Sequence, residues 1–253
     1  MKKKWIWIGI VLAGFLCILI MGAGIFLLMN QRYSAKSDTW GPEYSTKGMS
    51  LTLTEVSRQK DQNGVAVITY AVSTAGVPQD QTYTLLGKNF SDESPVQLGE
   101  FRIDDSGKLL ETKNGQLFDH FTADQYAMGQ ALNLALMNSD KSIRVYARVI
   151  PFPIEAADSK GCYLSVELLS RDGLSFMISG RGFEPNEEIV DKDRSENESM
   201  ETTITADSNG TFSIFELPAV TGKQSGTAYH DVIGKQCNLM VQYEWGTAAL
   251  QIQ

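Results

Sequence analysis

The densest run of oxygen donors in the chain is Asp191-Lys192-Asp193-Arg194-Ser195-Glu196-Asn197-Glu198. Asp191, Asp193, Ser195 and Asn197 stand at alternate positions, the spacing of the leading ligands in a calcium loop. Such a loop also needs glycine at its sixth position and a bidentate glutamate at its twelfth. Here those positions hold Glu196 and Thr202, and Lys192 and Arg194 interrupt the negative charge. An Asp-x-Asp of this kind also holds the metal in exported glycosyltransferases, but the α/β pattern those enzymes require is missing around it. The run therefore reads as a solvated acidic loop between two strands, and Asp191, Asp193, Ser195 and Asn197 stay as its calcium candidates.

Other reactive residue types are sparse. His120 and His230 are the two histidines, far apart and without a cysteine or histidine at ligand spacing. A zinc site needs three or four convergent ligands, so both read as surface or core residues. The chain has no Gly-x-Ser-x-Gly elbow and no P-loop. Gly180-Arg181-Gly182 lies among strand-like residues with no helix to follow, so it offers no helix N-terminus to a phosphate. Carboxylates are plentiful, but no spacing selects an acid/base pair. The sequence names no catalytic residue and implies no cofactor. Three Asn-x-Ser/Thr sequons begin at Asn89, Asn197 and Asn209; they matter only in a eukaryotic secretory pathway.

Net charge is −8, and without the three lysines at positions 2–4 the remainder has 19 basic against 30 acidic residues. That field repels the phosphates of nucleic acids and anionic lipid surfaces. Nucleic acid is thereby excluded as a partner.

The elements that must position any site are strands. Val65 to Tyr70 follows the turn Asp61-Gln62-Asn63-Gly64, and Leu51, Leu53 and Val56 are apolar positions before it. Ile143, Val145, Ala147 and Val149 share one face at period two, as do Leu164, Val166 and Leu168, then Leu174, Phe176 and Ile178, then Leu239, Val241 and Tyr243. Residues 122–138 fit either period: Met128, Leu132 and Leu136 line a helix face, whereas Leu132, Leu134 and Leu136 line a strand face. Gly129 tips the balance towards strand. Cys162 and Cys237 both lie in strand-like surroundings, and an even pair in an exported domain favours a disulfide.

A weak internal repeat is also visible. TYTLLGKNF (82–90) aligns with SFMISGRGF (175–183), DDSGKL (104–109) with ADSNGTF (206–212), and SIRVYARV with CNLMVQYEW. Two similar modules joined near Pro151-Phe152-Pro153 account for that order. Through SGRGFEPNEE, TADSNGTF and a late cysteine strand ending YEWG, the second module resembles small bacterial immunoglobulin-like sandwiches, the neocarzinostatin-like group in particular. The resemblance spans about 80 residues and implies a β-sandwich fold. The ligand-binding members of that group carry two disulfides, whereas one cysteine pair at most is available here.

An unbroken apolar run from Trp5 to Met29 follows Lys2-Lys3-Lys4. About 25 residues at about 1.5 Å each exceed a hydrocarbon core of roughly 30 Å. The lysines place the N-terminus in the cytoplasm. The run continues through Ile25 to Met29 past the small residues Gly22-Ala23-Gly24, so it reads as a retained anchor and not a cleaved signal. The expected organisation is all-β beyond that anchor: a tail (1–4), a transmembrane helix (5–29), a stalk (30–47), and two tandem immunoglobulin-like β-sandwich modules (48–155 and 156–253). The expected role is binding or structural interaction at a bacterial envelope, on its periplasmic or extracellular side, with an unidentified protein or small molecule as partner. The alternatives are an accessory subunit of an envelope or secretion machine and an exported carboxylate-based enzyme.

Overall fold

The computed structural model describes residues 40–90 and 94–253. The expected membrane span, residues 5–29, and the first part of the expected stalk lie outside them. Among the described residues no helix is long and apolar enough to cross a membrane.

Period-two alternation puts one face of each strand into a core. In chain order the first half contains β1 (Ser50–Lys60), β2 (Ala66–Ala75), β3 (Tyr83–Lys88), β4 (Val96–Ile103), β5 (Leu109–Glu111), β6 (Leu117–Phe118), β7 (His120–Ala123), β8 (Leu132–Asn138) and β9 (Arg144–Val149). The second half contains β10 (Ile154–Ala157), β11 (Tyr163–Leu168), β12 (Phe176–Arg181), β13 (Glu188–Ser195), β14 (Glu198–Thr205), β15 (Thr211–Glu216), β16 (Ser225–Ile233) and β17 (Asn238–Gly246). Among the described residues, the ambiguous stretch 122–138 contains strands and a turn. Its Leu132, Leu134 and Leu136 are buried in one core.

The strands form two pairs of sheets, antiparallel within each sheet. In the first pair, β1-β2-β7 faces β6-β5-β4-β3-β8-β9; in the second, β10-β11-β12-β15 faces β14-β13-β16-β17. Ile68, Tyr70 and Val72 of β2 meet Tyr83, Leu85 and the β8 leucines across the first core. Leu164, Val166, Phe176 and Ile178 meet Ile189, Val232, Val241 and Trp245 across the second. Each fully buried large apolar side chain contributes about 1.5–3 kcal/mol, so both halves have the core of a sandwich-like fold.

The two pairs share a strand order. β1-β2-β7 answers to β11-β12-β15, and β4-β3-β8-β9 answers to β14-β13-β16-β17. This corrects part of the expected repeat. SFMISGRGF is β12, whose counterpart is β2, whereas TYTLLGKNF is β3, whose counterpart is β13. The other two aligned segments do fall in matching places: the polar turns follow β4 and β14, and the closing strands are β9 and β17.

Three local features depart from the simple pattern. The β1–β2 register shifts between Glu55 and Ser57, and the bulge turns Val56 outward to 51% exposure, as an unpaired extra residue requires. The last part of the expected stalk is docked: Ser45 and Thr46 bond to the β9 backbone at Tyr146 and Arg144. Trp40 packs edge-on against Tyr146 with ring centroids 5.7 Å apart. This flap covers the outer face of β8, where Ala135 and Met137 are buried with Tyr146. The boundary expected at 155/156 falls inside β10.

The halves are strapped by backbone. The Leu168 N–H donates to the Gly129 carbonyl, and the Gly129 N–H donates to Phe152. Gln130 makes a parallel bridge to Leu168 and Ala127 an antiparallel bridge to Ile252. The Ala66 N–H donates to Gln253, which donates to Tyr126. Ala127 is buried in the second core, while Met128 packs against both cores. Gly129 has φ +74°, and a Cβ there would meet the Val166 carbonyl at 3.1 Å, so only glycine fits the strap without strain.

Candidate functional site

The run 191–198 is a hairpin, not a solvated loop. Asp191, Asp193 and Ser195 share parity with Ile189 on β13, so all four face inward, and Asn197 lies at the exposed tip. From Asp191 to Ser195 an extended strand covers roughly 13 Å, so these oxygens do not converge on one ion at calcium distances of about 2.3–2.6 Å. Their bonds go elsewhere: the Ser195 hydroxyl donates to the Pro218 carbonyl at 2.5 Å. Among the described residues no group of three or more His, Cys, Asp or Glu side chains is placed to hold a metal ion.

What the inward carboxylates meet is His230. The Ala228-x-His230-x-Val232 alternation on β16 puts the imidazole inside, where it is fully buried. β13 pairs with β16 so that Asp191 stands opposite Val232 and Asp193 opposite His230. Nδ1 lies 3.1 Å from both carboxylate oxygens of Asp191. Nε2 lies 3.3 Å from the Tyr243 hydroxyl and 3.8 Å from Asp193 Oδ1. The Tyr243 ring stacks nearly parallel on the imidazole, 9° between planes, and packs against Phe176 of the opposite sheet at 4.6 Å. Asp193 Oδ1 is buried and accepts no hydrogen bond, and the Trp245 Nε1–H is likewise buried without a partner.

Burial opposes charge on His230. The hydrogen bond and charge of Asp191, with Asp193 and Glu216 behind it, outweigh that and hold its pKa above the ordinary 6.5. Burial raises the Asp193 carboxyl, offset in part by His230 and reinforced by Asp191. Burial also raises Glu216, with the charge of Asp193 next, and raises the Tyr243 phenol. These shifts share one physical cause, since a dry interior disfavours each added negative charge and tolerates the cation only through its carboxylate partners.

Asp193 and Glu216 line a cleft of about 370 Å³ with Ser195, Met200, Leu217 and Pro218. Its walls contain no aromatic ring and no cation. The imidazole is fully buried, with one nitrogen on Asp191 and the other on the Tyr243 hydroxyl, and it does not line the cleft.

A larger groove, about 570 Å³, lies at the junction of the halves and includes Trp40, Lys88, Asn133, Arg148 and Glu167. Arg148 of β9 pairs with Glu167 of β11 across that junction, and Lys88 lies over the Trp40 ring at 5.8 Å.

The remaining sites from the sequence are apart. His120 is exposed and pairs with Asp119 at 2.6 Å. Arg181 of Gly180-Arg181-Gly182 stacks on Tyr163 at 4.4 Å. Asn209 lies exposed in a turn. Cys162 and Cys237 are joined as a disulfide, with Cα atoms 5.7 Å apart; the link ties the start of β11 to the turn before β17.

No family model matches the chain, and no curated protein matches it. Among solved structures it is similar to one described as the tetra-tandem repeat in the extending region of a large adhesion protein, at 12% identity and a TM-score of 0.26. That match covers 79% of this chain and 50% of the other. The chain thus spans half the length of that structure, and a TM-score this low supports no conclusion about fold or function.

Proposed function

We propose that this chain is a single-pass envelope protein whose ectodomain, two tandem immunoglobulin-like modules, acts by binding or structural interaction and not by catalysis. The observation that carries the reading is the backbone strapping of the two halves at residues 66, 126–130 and 252–253. Flexibly linked domains meet through side chains and move independently by default; here hydrogen bonds shared between the halves join them into one stiff body. Stiffness suits a part that must hold a surface at a set distance and orientation. The histidine of the densest polar cluster is fully buried, away from the cleft that Asp193 and Glu216 line.

In this reading residues 5–29 anchor the chain with its N-terminus in the cytoplasm, and the acidic ectodomain stands on the other side. The Cys162–Cys237 disulfide supports an oxidising compartment. The repeated strand order supports the immunoglobulin-like assignment, since switching sheets after the second strand is how that fold wraps its core.

The test combines three measurements on the full chain in membranes. Protease added outside should reach residues 40–253 and leave the N-terminal lysines protected; the reverse pattern would overturn the orientation. Spin labels at Lys113 and Lys223, one in each half, should give one narrow distance distribution. A broad distribution would remove the basis for a stiff interaction module. Replacing residues 5–29 with an unrelated span should leave its partner contacts intact. Their loss would favour an accessory subunit assembled through the membrane helix.

A further inference from the structure

The second core buries more titratable groups than a sandwich needs. His230 is reached by Asp191 and Asp193 from β13, Tyr243 from β17 of the same sheet, and Glu216 from β15 of the facing sheet. The facing strand β12 brings Phe176 and Ile178 into this core, neither of them titratable, and the Phe176 ring packs on Tyr243. The cations of β13 point the other way, Lys192 towards Glu201 and Arg194 towards Asp231, at 3.4 Å each. A protonated imidazole is therefore the positive charge among Asp191, Asp193 and Glu216.

We propose that His230 is a proton-operated latch between the two sheets of the second half. With the ring charged, Nδ1–H donates to Asp191, Nε2–H donates to Tyr243, and the charge attracts Asp193 from one side of the cleft and Glu216 from the other. When the proton leaves to solvent, no cation remains between those carboxylates. They repel, and the end of β15 separates from the β13–β14 hairpin along the cleft they already line. The signs agree. A raised histidine pKa gives stability that is full below 6.5 and lost as pH rises through the folded value. Raised carboxyl values mean the folded state holds more protons there too, so they act in the same direction. The device thus opens towards alkaline pH. It is an addition to the binding role and stands or falls without it.

Two experiments on the full chain in detergent micelles decide the matter. First, with only His120 and His230 present, ring nitrogen spectra should show one imidazole that titrates above the free-imidazole range. Titration of His230 at or below that range would overturn the latch. Second, amide exchange, corrected for intrinsic rate, should accelerate between pH 6 and 9 in residues 193–200 and 213–219 relative to β11. A several-fold acceleration is expected, in the direction that a raised histidine pKa sets. The D193N/E216Q variant, which keeps the histidine and removes the repulsion, should flatten that dependence. An unchanged slope in the variant, or equal acceleration in β11, would refute it. Histidine variants are left aside because losing the ring leaves Asp191 buried alone and unfolds the core by another route.

Discussion

Single aspartates set the turns of this protein. Asp104 accepts from the N–H groups of Ser106 and Lys108, and Asp207 accepts from those of Asn209 and Thr211. In each turn the third residue after the aspartate is a glycine at positive φ, Gly107 at +79° and Gly210 at +72°. These bonds hold both carboxyls below the usual 3.8, the backbone N–H of Lys108 acting first on Asp104 and that of Thr211 on Asp207. A depressed folded pKa gives stability that is present above 3.8 and lost as pH falls through the folded value. The D104A/D207A variant should therefore melt lower at pH 7 and show a shallower acid limb in a plot of Tm against pH. Ile178→Ala, at a fully buried position facing β13 and β16, should cost about 2–5 kcal/mol in urea unfolding. At this scale the sequence was partly legible. The Asp-x-x-Gly turns are readable from side-chain chemistry alone. The sequence reads His230 as surface or core, although its parity with Ala228 and Val232 puts it inside. Its contact with Asp191 joins residues 39 apart, and no periodicity reports a pairing across strands.

At the scale of elements, strands were legible and their equivalence was not. Alternation located β2, β9, β11, β12 and β17, because half-buried strands carry period two in their residue types. The repeat matched TYTLLGKNF to SFMISGRGF, yet β3 and β12 occupy different places in their sheets. Both are strands that end in a glycine and a cation, Gly87-Lys88 and Gly180-Arg181, and that shared local chemistry is all the similarity required. The Val56 bulge and the strap at Gly129 were equally hidden, since both arise from long-range register. The strap is testable. Gly129→Val puts a β-branched residue at φ +74° with its Cβ 3.1 Å from a backbone oxygen, a strain of about 1–3 kcal/mol. The Leu168 amide, which donates to Gly129 at 3.0 Å, should exchange faster in the variant, and the spin-label distance distribution between the halves should widen.

Over the whole molecule the two cores have separate reporters. Trp245 is buried in the second core and Trp40 lies on the outer face of the first half. The disulfide closes a loop of 75 residues confined to the second half, and losing it should cost about 2–5 kcal/mol there. In C162S/C237S, urea titration should show the Trp245 transition moving to lower denaturant while the Trp40 signal moves less. A single coincident shift would mean the strap makes both cores one cooperative unit. All-β character and this cysteine pair were readable from composition and spacing. The joining of the halves was not, because it depends on backbone bonds among residues 66, 126 and 253.

Those bonds also impose an order in time. Ala66 donates its N–H to Gln253, so a strand near the start of the first half waits for a residue that leaves the ribosome nearly 190 positions later. At about 5–20 residues per second, the interval is on the order of ten seconds or more. For that interval the first half is a nearly finished body with one open seam, and the junction closes only once residue 253 has been made. The joining of the two halves is thus a late event in the synthesis of the chain.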